Sequence, residues 1–75
     1  MNIKIIGSNC SNGMKLYKMA SKAIEESNQS ISIEKIDDAK QFNQYGVNNA
    51  PGLVIDNKLV SQGKVLTARE ISKLL

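Results

Sequence analysis

The chain predicts a small α/β domain in the order β-α-β-α-β-β-α, with a mixed four-stranded sheet flanked by helices. Three observations carry that expectation. Short runs rich in isoleucine and valine alternate with stretches of helical periodicity. The first helical stretch joins two strands, which favours a parallel pair with a right-handed crossover. Late in the chain a tight-turn pair, Asp56-Asn57, links two more strands into an antiparallel hairpin. The 75 residues suffice for one domain, 1–75, with no internal repeat or low-complexity tract. A domain of that size buries a modest core and depends on how well its elements pack.

Taken in order, Asn2-Ile3-Lys4-Ile5-Ile6-Gly7 reads as the first strand. From Ser11 or Asn12 to about Ser27 the apolar residues fall at helical spacing: Leu16, Ala20, Ala23 and Ile24 form one stripe, Tyr17 flanks it, and Met14 and Met19 close its edges. Asn28 is a helix stop, and Ser27-Asn28-Gln29-Ser30 is a loop. Ile31-Ser32-Ile33-Glu34-Lys35-Ile36 is the second strand; Ile36 breaks its alternation and marks the expected exit. Asp37 or Asp38 caps a short second helix with Ala39, Phe42 and Tyr45 on its inner face, ended by Gly46. Gly52-Leu53-Val54-Ile55 and Lys58-Leu59-Val60-Ser61 are the hairpin strands. Thr67-Ala68-Arg69-Glu70 matches a capping box. The last helix should run to Leu75, with Ala68, Ile71, Leu74 and Leu75 facing inward.

Composition excludes several classes. The net charge of +3 is mild, and the basic residues are scattered apart from Lys15, Lys18 and Lys22 on the first helix. With Tyr17, Phe42 and Tyr45 as the only aromatics, no stacking platform for nucleic acid is evident. Lys15 and Lys18 read as a solvated face, or as positive potential near Cys10. No run approaches the ~20 apolar residues of a membrane span. No signal peptide opens the sequence, and a single cysteine builds no disulfide framework, so a soluble cytoplasmic protein is expected. The absence of histidine removes a Cys–His pair and the commonest zinc ligand, so no metal site within one chain is expected.

Cys10 lies where the first strand hands over to the first helix. A thiol there faces the free N–H groups and positive dipole end of the helix, a setting that favours the reactive thiolate. The alternative is a buried, inert residue, against which stand the polar flanks Ser8, Asn9, Ser11 and Asn12. Ser11 and Asn12 also read as caps of the first helix, or as donors to the sulfur. Pro51, by itself, reads as an ordinary strand-entry proline in trans.

Gly7-Ser8-Asn9-Cys10-Ser11-Asn12-Gly13, set between strand and helix, resembles the active-site segment of the thioredoxin superfamily. Asn49-Ala50-Pro51-Gly52-Leu53-Val54-Ile55-Asp56 resembles the segment that carries its cis-proline. The chain is most similar to the very small redox-active disulfide proteins of thioredoxin/glutaredoxin-like type. These share a G-x-x-C-x-x-C-x-x-L opening, an A-P-G-L-x-x-D segment and a final hairpin plus helix. The resemblance covers nearly the whole chain, with one departure: Gly13 stands where that family has its second active-site cysteine.

The resemblance implies a thioredoxin-like fold and thiol–disulfide exchange with Cys10 as nucleophile. It implies a cis bond before Pro51, with Ala50 pairing an extended substrate through its main chain and with Ser11, Asn12 and Gly13 beside it. Without a second sulfur, an external thiol such as glutathione, or a partner's cysteine, would resolve the mixed disulfide. No resident cofactor is implied. The expected partner is a disulfide- or thiol-containing protein or a small thiol, acting on a monomer. A rival reading is a redox-inactive thioredoxin-fold scaffold that binds a protein in the groove between the first helix and the Pro51 loop. A third is iron–sulfur ligation by Cys10 of two chains with two external thiols, as in some one-thiol glutaredoxins.

Overall fold

A strand of alternating pleat sends odd and even side chains to opposite faces, and β1, Asn2–Ile6, buries isoleucine on both. The computed structural model describes residues 1–75. Ile3 and Ile5 face one side and Ile6 the other, all fully buried. Such a strand belongs in the middle of a sheet, and the order is β2-β1-β3-β4. β2, Ser32–Ile36, runs parallel to β1 in the register Asn2↔Ser32 to Ile6↔Ile36. β3, Gly52–Ile55, runs antiparallel on its other side, and β4, Lys58–Gln62, closes the hairpin at the edge. Asp56 and Asn57 both take positive φ, 50° and 66°, as a two-residue hairpin turn of the primed type demands. Opposite β3, the pairing steps from Ser61 to Leu59, so Val60 is bulged out of register.

Helices α1, Ser11–Ser27, and α3, Ala68–Ser72, pack on one face over Leu16, Ala20, Ala23, Ile3, Ile5, Leu53 and Ile71. Asn28 ends α1 in the left-handed conformation. On the opposite face, α2, Ala39–Phe42, continues into a 3₁₀ turn, Asn43–Tyr45, over a smaller core of Ile6, Ile36, Val47 and Val54. Ile36 thus breaks the alternation of β2 because it serves this second core, whereas Ile33 packs against the first.

Three expectations are corrected. Ala39 is exposed: α2 is a single turn, and the 3₁₀ segment after it aligns Phe42 and Tyr45 at i, i+3 while Ala39 stands clear. The last helix stops at Ser72. Beyond it the amides of Leu74 and Leu75 bond back to Ile71 and Ser72, a tighter winding that turns Leu74 outward to 44% exposure. Ile31 lies outside β2 but still packs against the larger core. No helix is long and apolar enough to cross a membrane.

Candidate functional site

The site begins where β1 ends. Gly7 donates its amide to the Ile36 carbonyl at 2.7 Å and then turns with φ +76°, a conformation most residues with a Cβ avoid. The same turn brings it against the proline loop. A Cβ built on Gly7 would lie 2.8 Å from the Ala50 Cβ and 3.4 Å from the Phe42 ring. Glycine here therefore lets the strand–helix loop and the Ala50 segment touch. Ser8 then turns inward, 3% exposed, and its Oγ donates to Asp37 Oδ1 at 2.5 Å. That bond ties the loop to the end of β2.

Cys10 is the N-cap of α1, with extended backbone at φ −86°, ψ 165°. Its Sγ accepts from the Gly13 N–H at 3.2 Å, and a thiol proton there reaches the Gly7 carbonyl, also at 3.2 Å. The residue is exposed. One contact serves the anionic sulfur and the other the protonated one, so the cradle accommodates both forms. The cap falls one residue earlier than the sequence suggests: Ser11 and Asn12 lie within the helix, and neither caps it. The reason is that the sulfur itself occupies the capping position and takes the amide of the third helical residue. Ser11 and Asn12 are exposed beside it, whereas Gly13 is buried.

Gly13 is buried because backbone covers it. A Cβ built there would lie 2.1 Å from the Gly7 carbonyl oxygen and 2.7 Å from the Ser8 Cα. The first turn of α1 therefore rests directly on the Gly7-Ser8 main chain, and this approach fixes the Gly13 amide toward Sγ.

The Ala50–Pro51 peptide bond is cis, with Ala50 exposed and Pro51 buried. The loop is held from β4. Gln62 Oε1 accepts from the amides of Asn48 and Asn49 at 2.8 and 3.2 Å, and Gly63 donates to the Pro51 carbonyl at 2.9 Å. The Ala50 main chain makes no hydrogen bond within the chain. Cys10, Gly7, Gly13 and Ala50 thus form a continuous set, with Gly7 touching both sides. Sequence reasoning missed the Ser8–Asp37 and Gln62 bonds. The only trace of the first was a polar residue two before the cysteine, and nothing local signalled the second.

The comparisons with known proteins agree along the chain. A family model described as a thioredoxin domain matches residues 1–75. A thioredoxin of Methanothermobacter thermautotrophicus is 36% identical over 75 residues, covering 100% of this chain and 97% of its own length. A thioredoxin of Methanocaldococcus jannaschii is 30% identical over 73 residues, covering 97% and 84%.

Proposed function

The chain belongs to the thioredoxin family, and on that premise we propose that it is a one-thiol thiol–disulfide redox protein with Cys10 as its nucleophile. The observation that carries the reading is the exposed Cys10 sulfur at the head of α1, which takes the Gly13 amide. A thiolate there accepts the Gly13 N–H at the N-terminal end of α1. It attacks one sulfur of a disulfide, forms a Cys10–substrate mixed disulfide and expels the other half as thiolate. An external thiol, such as glutathione or a partner's cysteine, attacks the mixed disulfide in turn. Cys10 leaves as thiolate, and the substrate half departs joined to the external thiol. Ala50 aligns the substrate through its free main-chain N–H and C=O, with Ser11 and Asn12 as exposed polar neighbours.

Two measurements test this. Cys10 should react with iodoacetamide at neutral pH several times faster in the folded protein than in urea. Incubation with a small disulfide should give a mixed disulfide on Cys10, detected by intact mass and removed by glutathione. A folded-state rate no greater than the unfolded one, with no adduct formed, overturns the reading. The unpaired main chain of exposed Ala50 favours a second reading, a peptide-binding scaffold that does not use the sulfur. Partner binding undiminished in Cys10→Ser would support it.

A further inference from the structure

In the loop from Val47 to Pro51 nearly every amide has a partner. Val47 donates to the Phe42 carbonyl at 3.0 Å. Asn48 and Asn49 both donate to Gln62 Oε1, at 2.8 and 3.2 Å. Pro51 has no amide to give, and its carbonyl takes the Gly63 amide at 2.9 Å. The one amide of this stretch left free belongs to Ala50, the exposed residue before the proline.

One side chain therefore decides which amide the loop offers. A carboxamide oxygen has two lone pairs and accepts two N–H groups at once. Gln62 is the last residue of β4 and stands opposite Gly52 in the ladder. Its main chain thus lies beside the residue that follows Pro51, while its side chain reaches back to the two residues that precede Ala50. Gly63 completes the clamp, since a Cβ built on it would lie 3.2 Å from the Asn49 Cβ. The opposite flank of Ala50 rests on Gly7 of the cysteine loop. Ala50 is held from β4 on one side and from the Cys10 loop on the other.

We propose that Gln62 is the positioning residue that sets how this site tells peptide disulfides from small non-peptide ones. The inference rests on the reading of Cys10 as nucleophile with Ala50 aligning the substrate. Gln62 acts through Asn48 and Asn49: by holding their amides it keeps the Ala50 main chain in one orientation. A peptide carrying a disulfide uses that orientation, because its own N–H and C=O pair with Ala50 while the sulfur is attacked. A disulfide without peptide groups has nothing to pair there and meets only the sulfur.

The test compares two disulfides with the same leaving group. One is a capped peptide of alanines around a single cysteine joined to thionitrobenzoate; the other is mercaptoethanol joined to thionitrobenzoate. Cys10 thiolate attacks the sulfur of the peptide or of mercaptoethanol and bonds to it. Thionitrobenzoate, the better leaving group, departs as thiolate and is read by its absorbance. Gln62→Met keeps the side-chain length and removes the acceptor. It should slow the peptide reagent about tenfold, the worth of one or two hydrogen bonds, and the mercaptoethanol reagent less than about twofold. Gln62→Ala should show the same split, so a methionine that fails to fit leaves the comparison intact. Gln62→Glu keeps an acceptor oxygen and should retain the wild-type ratio. Iodoacetamide should alkylate Cys10 at one rate in all of these proteins. An unchanged ratio in Gln62→Met and Gln62→Ala, or a loss in Gln62→Glu as large as theirs, would overturn the role of Gln62 alone. Cys10 alkylated no faster in the folded wild-type chain than in urea would overturn the reading beneath.

Discussion

Glycine costs the first turn of α1 about 1 kcal/mol of helix propensity relative to alanine. At position 13 a second effect opposes that gain. The alanine Cβ would overlap the Gly7 carbonyl at 2.1 Å, and the obstruction is main chain that no rotamer change removes. Overpacking of this kind costs typically about 1–3 kcal/mol, so the overlap outweighs the propensity. Gly13→Ala should therefore lower stability, read as an earlier urea midpoint, and a later midpoint would mean the loop gives way freely. The sequence reading had the missing sulfur. It had no means to see the overlap, because that contact is made across a loop whose path depends on the left-handed turn at Gly7. Gly13→Cys meets the same obstruction, so regaining a second thiol requires the Gly7-Ser8 backbone to retreat.

Among the elements, α3 is only five residues long and relies on its N-terminus. The Thr67 side chain accepts from the Glu70 amide, and Glu70 Oε1 accepts from the Thr67 amide and hydroxyl. The bond from the Thr67 backbone, then that from its hydroxyl, hold the Glu70 carboxyl below its ordinary value of 4.5. A carboxyl depressed on folding stabilises the native state above its unfolded value and loses that contribution as pH falls through the folded one. The stability gap between the wild-type chain and Glu70→Ala should be full near neutrality and narrow in acid below about pH 4.5. Urea denaturation across that range checks it, and a gap that widens in acid would contradict it. This motif was legible because capping chemistry is local, spelled by Thr67 and Glu70 alone. The outward turn of Leu74 was not, since it depends on how the winding tightens after Ser72.

For the molecule as a whole, β1 is the strand on which both cores depend, with Ile3 and Ile5 in the larger and Ile6 in the smaller. Ile5→Ala removes a fully buried side chain at a cost of about 2–5 kcal/mol. A core of this size supplies about 3–5 kcal/mol in all. The variant should be largely unfolded by circular dichroism, while Ile5→Val should fold with a lower midpoint. The element order and both hairpin strands were readable because strand periodicity and turn residues are written in short stretches. That Ile36, Phe42 and Tyr45 build a separate core was not, because opposite faces of a sheet are told apart only once register is set. One margin of that sheet has a wider bearing. The β4 edge carries a kink at Val60, with Lys58 at one end and Lys64 just beyond the other. A neighbouring copy trying to extend the ladder there meets broken spacing and repelling ammonium groups. That margin is a poor template for fibrils.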